Sequence, residues 1–156
     1  MNEEEALGAL LGGSIIVIAF IAIIAIALIA VVIVAEWKLF KKAGKNGWEA
    51  LIPFYSTWVL IEISGLNWWY FLIAMAGSII SLLGIEGLGT ITSLASYAVN
   101  FFVYYNIAKK THQNEVLYGV LGIFVPFVPT LMVGFSKNIT FDNNVTVSPN
   151  GPFNAK

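Results

Sequence analysis

The chain has 156 residues, of which 58% are hydrophobic and 11% charged, against roughly 25% charged in a soluble domain. Aromatics reach 14% and the mean hydropathy is +0.83. A water-soluble enzyme, a disordered chain and a disulfide scaffold all fit these figures poorly, whereas an integral membrane protein fits them well. The eight basic residues are all Lys and nine acidic ones nearly balance them, so bulk charge points to no nucleic-acid partner. There is no Cys, which removes disulfides, thiol catalysis and Cys-based metal centres. No cofactor is expected.

Ala6–Ala35 is thirty residues without a charge, with Ser14 its one polar side chain. About 20 such residues cross a bilayer, so the run predicts a first span over 6–35 with length to spare. The acidic Glu3-Glu4-Glu5 precede it, whereas a cleaved signal begins with a basic region; a retained span is expected. Lys38, Lys41, Lys42 and Lys45 follow, four Lys in eight residues, the mark of a cytoplasmic loop. Trp37 and Trp48 flank them as headgroup-level anchors.

Ala50–Ile63 is apolar but only fourteen residues long, and it carries Pro53 and Glu62. At about 1.5 Å per residue it covers roughly two-thirds of the hydrocarbon thickness, so a short interfacial helix is expected, with Glu62 on the same face as Tyr55 and Trp58. Trp68–Ile85 and Leu88–Ala108 read as the second and third spans. The latter is followed by Lys109 and Lys110. Val116–Phe135 reads as a fourth span, kinked or interrupted at Pro126 and Pro129 because each Pro removes a backbone donor. Residues 136–156 form a polar tail, in which apolar residues alternate on either side of Asp142-Asn143-Asn144 and predict a small hairpin.

Lysine placement fixes the expected orientation. With four spans, six lysines share one side and only Lys137 and Lys156 fall opposite, so the Lys-rich loops are expected in the cytoplasm and both termini outside. The fold expected is thus all-α and integral to the membrane: residues 1–135 as four transmembrane helices with one interfacial helix, and residues 136–156 as an external tail.

Trp37-Lys38-Leu39-Phe40-Lys41-Lys42-Ala43-Gly44-Lys45, running into Gly47-Trp48-Glu49-Ala50-Leu51-Ile52-Pro53-Phe54-Tyr55, resembles the signature block of an uncharacterised family of small prokaryotic multi-span membrane proteins, sometimes labelled signal peptidase I. Gly65-Leu66-Asn67-Trp68-Trp69 and Gly122…Pro126…Gly134-Phe135 are similar as well, so the resemblance covers about Trp37–Phe135. Where that family carries Asn after the Pro-x-Tyr, this chain has Ser56, and a Phe-Gly-Lys near the second Lys cluster is replaced by Lys110-Thr111-His112. The resemblance implies the architecture and carries no activity.

A signal-peptidase site needs a Ser nucleophile beside a desolvated Lys base. Here Ser78, Ser81, Ser93 and Ser96 lie in spans without a neighbouring Lys, so no enzyme is expected. His112 is the one His and reads as a solvated loop residue, not a metal ligand. Glu62 is an acid near membrane depth, which is a functional candidate by default, although a carboxylate at the end of an interfacial helix also reaches the headgroups. Ser93, Ser96, Asn100 and Tyr104 recur on one face of the third span; Gly77, Ser78 and Ser81 do so on the second. Gly8 and Gly12 stand four apart in the first. Such small and polar faces let helices approach closely and hydrogen-bond.

The expected function is therefore a non-enzymatic membrane subunit or scaffold that associates with itself or other membrane subunits among the membrane lipids. The alternative is a small transporter using Glu62, Asn100 and the kinked last span.

Overall fold

The computed structural model describes residues 2–84 and 88–151, and of residues 3–11, 81 and 88 the backbone alone. Among the described residues there are six α-helices, one 3-10 helix and no strand. The α-helices are α1 (Glu3–Lys42), α2 (Pro53–Ser64), α3 (Trp69–Leu82), α4 (Leu88–Lys110), α5 (Glu115–Phe124) and α6 (Phe127–Phe135), and the 3-10 helix is Gly47–Leu51.

The first helix has forty residues and is about 60 Å long. Ile, Val and Ala dominate it, and every residue from 13 to 31 is exposed. Its last turns join the rest of the molecule: Ala35, Leu39 and Phe40 are fully buried. The core sits there, where Leu39 and Phe40 meet Val59 and Ile61 of α2, Ile107 and Ala108 of α4, Tyr118 of α5 and Val133 of α6.

The segment expected as one helix over Ala50–Ile63 is divided: Ala50 and Leu51 belong to the 3-10 helix, Ile52 is extended, and the α-helix begins at Pro53. Pro53 occupies its first turn, where a missing backbone N–H costs nothing. Ser56, Val59, Ile61 and Ile63 face inward, while Phe54, Tyr55 and Trp58 are exposed. Gly65 ends the helix at φ 78°, in the left-handed region that a β-carbon disfavours. The Leu66 N–H then donates to the Ile61 carbonyl at 3.2 Å, and this tight turn swings Trp68 back over α2.

The four-span expectation is corrected. Among the described residues one helix, α1, is long and apolar enough to cross a membrane. The second expected span is a helix of fourteen residues, Trp69–Leu82, and Ile85 lies outside the described residues. The third forms as α4, with Thr, Ser, Asn and Tyr along its twenty-three residues. The fourth is divided into α5 and α6, of ten and nine residues, each about half the thickness of a bilayer core.

Val125 leaves the helical region, at φ −146° and ψ 67°, and Pro126 cannot continue the α5 ladder. The chain then turns back. Gly122 of α5 lies against Tyr104 of α4, Thr130 of α6 bonds the same Tyr104, and Gly134 lies against the Ala35 backbone of α1. Both ends of the α5–α6 pair are therefore at the Lys-bearing end of the molecule, and the pair is a helical hairpin.

That return also moves the tail, so its expected place opposite the Lys-rich loops is corrected. The Asp142 N–H donates to the Lys110 carbonyl at 2.8 Å and the Asn67 N–H donates to the Pro149 carbonyl at 3.1 Å. Asp142 Oδ1 accepts from the Asn144 N–H at 2.9 Å, a local turn. The expected hairpin does not form among the described residues. The tail's apolar side chains are used differently: Ile139 is buried and Phe141 packs on the core, so alternation here reflects docking on helices instead of strand pairing.

Candidate functional site

The lysines expected to meet lipid headgroups make contacts within the fold. Lys42 Nζ donates to the Val133 carbonyl at 2.6 Å and to the Ser136 carbonyl, closing the C-terminus of α6. Lys110 Nζ donates to the Ile63 carbonyl at 2.7 Å, closing that of α2. A cation at a helix C-terminus meets both the orphan carbonyls and the negative end of the helix dipole. Lys45 pairs with Glu62. The Lys38 ammonium lies 4.4 Å from the centre of the Phe135 ring and that of Lys41 5.8 Å from the Trp37 ring, and Lys109 is half-buried at the end of α4.

Asp142 anchors the tail among these groups. The Asn144 backbone N–H, then His112 Nε2 at 3.2 Å, hold its carboxyl below the ordinary carboxylate range.

Glu62 lines a cleft of about 190 Å3 with Trp58, Ile61, Leu66 and Trp68. Trp58 and Glu62 are one helical turn apart on α2, the face expected from the sequence. Trp58 also borders a second hollow of about 380 Å3, lined with Ile52, Phe54, Tyr55 and Phe71. Its ring meets Phe71 edge-on at 5.3 Å.

The polar stripes of the second and third expected spans come together. Gly77, Ser78, Ser93, Ser96, Tyr97 and Asn100 line one cavity of about 210 Å3 between α3 and α4. A β-carbon at Gly77 would collide with Ser96 Oγ and lie 3.1 Å from the Thr92 carbonyl oxygen, so the helices touch there because residue 77 is Gly. The hydroxyls turn back onto their own helices: Ser78 donates to Ala74 at 3.1 Å, Ser93 to Gly89 at 2.7 Å and Ser96 to Thr92 at 3.0 Å. Such back-bonding leaves little donor capacity for a solute. Tyr104, assigned to the same stripe, lies elsewhere, 2.8 Å from Thr130 Oγ1 in the core.

The structure therefore joins Ser93, Ser96 and Asn100 but leaves Glu62 in a different cavity. A β-carbon at Gly12 would meet nothing within 4 Å among the described residues. The surroundings of Gly8 and of the Ser81 side chain lie outside the described residues.

Sequence reasoning passed over several buried polar groups. Glu49 Oε2, Asn106 Nδ2 and the Tyr118 hydroxyl are buried without a hydrogen-bond partner among the described residues. Asn106 and Tyr118 carried a signal, a polar atom within an otherwise apolar helix. Among the described residues there is no cluster of His, Asp and Glu able to hold a metal ion.

Residues 48–144 match DUF5684, described as a family of unknown function. The match begins inside the block noted above, taking in Trp48–Tyr55 and leaving out its Lys-rich first half. No curated protein and no solved structure matches the chain.

Proposed function

We propose, from the premise that the chain belongs to the DUF5684 family of unknown function, that this protein is an integral membrane subunit or scaffold working through helix contacts and not through catalysis. The observation that supports it is α1. Nineteen consecutive residues, 13 to 31, are exposed, and nearly all are apolar. A helix that is hydrophobic all round belongs in a membrane, where lipid and a neighbouring helix can cover it. The run is close to the roughly 20 residues a bilayer core requires.

In this reading α1 crosses the bilayer, the α3–α4 pair crosses and returns, and the α5–α6 hairpin enters from the Lys-bearing side and leaves by it. Lys38, Lys41, Lys42, Lys45, Lys109, Lys110 and Lys137 then share one side with the tail. That is a stronger inward bias of basic residues than four spans allow. It puts the N-terminus outside and the tail in the cytoplasm. Transport is the weaker reading, because Glu62 and Asn100 line separate cavities.

The natural lack of Cys makes the test direct. Single cysteines at Asn46 and Ser148 should react from the same side of intact cells and one at Asn2 from the other; labelling of Asn46 and Ser148 from opposite sides overturns the topology. Cysteines at Ala19 and Ala22 should crosslink to a second copy or to a partner subunit in native membranes. Monomer alone at both positions overturns the subunit reading.

A further inference from the structure

The cleft beside Glu62 and the hollow beside Phe54 share one wall, the Trp58 ring, and together they have the chemistry of a single amphiphile. One part offers a carboxylate with two indole rings, those of Trp58 and Trp68. Aromatic faces attract alkylammonium groups, and a neighbouring carboxylate adds to the attraction. Beside the carboxylate stands its ion-pair partner, Lys45, which suits a phosphate. The other part is lined only by Ile52, Phe54, Tyr55, Trp58 and Phe71, and its volume of about 380 Å3 falls within the range of small-molecule sites.

From this arrangement we infer that the groove between α2 and the start of α3 binds one phospholipid with a zwitterionic, ammonium-bearing headgroup. The headgroup ammonium sits between Trp58, Trp68 and Glu62, its phosphate faces Lys45, and an acyl chain lies along the apolar hollow. Glu62 and Lys45 are side by side with side chains 51% and 30% exposed, so the pair presents one charge of each sign to a ligand that also carries both. The depth is suitable, since Trp48, Trp68 and Trp69 are exposed around the groove and indoles settle at headgroup level. Asn67, between the two helices, is held from behind by the tail: its Nδ2 donates to Asn150 Oδ1 at 2.6 Å. That contact fixes the turn carrying Trp68.

The inference rests on the membrane reading above. The full chain in detergent should be mixed with equimolar phosphatidylethanolamine and phosphatidylglycerol and examined by native mass spectrometry. One phosphatidylethanolamine should be retained with about tenfold preference, the scale of one charge-assisted contact. Glu62→Gln should bring the preference close to parity, and so should Trp68→Ala, whose side chain is largely exposed and not needed by the core. Equal retention of the two lipids by the natural chain overturns the site, as does an undiminished preference in both variants with unchanged helical circular dichroism. Glycerophosphoethanolamine, which has the headgroup but no chains, should fail to compete at equal concentration; full competition overturns the role of the hollow. Alkaline extraction separates the two failures: a chain stripped from membranes refutes the membrane reading, and one that stays but shows no lipid preference refutes this site alone.

Discussion

Two stretches of α1 have similar helical geometry and opposite surroundings. From residue 13 to 31 every side chain is exposed, and the helix is specified by composition alone. From Ala35 to Lys42 the same helix is gripped by α6, by the 3-10 turn and by α2, and single atoms matter. The contrast teaches that the fold keeps its internal specificity at the Lys-bearing end, while the long apolar arm serves the fold of the chain only by being hydrophobic and helical.

The largest test of that contrast is Gly134→Val. A β-carbon at Gly134 would collide with the Ala35 backbone, which cannot yield as a side chain can. The variant should lose about 3 kcal/mol or more of stability, read as a lowered unfolding temperature in detergent. Ala22→Val on the exposed arm should change it by less than about 0.5 kcal/mol. Equal effects at the two sites would erase the distinction.

Tyr104→Phe should cost about 1 kcal/mol, the net worth of one buried hydrogen bond. Thr130 keeps its bond to the Pro126 carbonyl at 3.1 Å, which limits the loss. A denaturant titration giving no shift would show that the Tyr104–Thr130 bond contributes nothing to the core.

A smaller and local effect concerns pH. The Asp142 carboxyl is held low by the Asn144 N–H and His112, so its contribution is present above the unfolded value and is lost as pH falls through the folded one. Tail docking should therefore loosen below about pH 4. A fluorophore on a cysteine at Thr146 should lose anisotropy there, while one at Ala22 should not. Asp142→Asn should remove the transition.

The smallest effect is expected at His112, which ends α4 at φ 54°, a conformation costly for a side chain. His112→Gly relieves that cost and gives up an exposed contact to Asp142 worth little. A net gain of about 0.5 kcal/mol in thermal stability is expected.

How much of this was legible in the sequence follows the same division. The arm of α1 required only a count of apolar residues, and the α3–α4 contact required only helical spacing, which placed Ser93, Ser96 and Asn100 together. Val116–Phe135 misled because its length suits a bilayer; the Pro at 126 marked an interruption, but nothing local shows that the chain reverses there. The roles of Lys42 and Lys110 were out of reach for another reason. A cap is defined by carbonyls 91 and 47 positions away, and no window of sequence contains both partners. The alternation around Asp142 was a true signal of one buried face, read as a strand because periodicity alone does not say what covers that face.

The distance between Lys42 and its acceptors has a consequence for synthesis. The carbonyls it meets belong to Val133 and Ser136, 91 and 94 positions later. On a ribosome α1 through α4 are therefore complete before the helix that seals them exists. Until α6 emerges, Leu39, Phe40 and Ile107 lack the cover that Val133 of α6 adds to the core they share. Closure is a late, long-range event, and a chain that stalls before residue 127 is left open on the side that α6 covers.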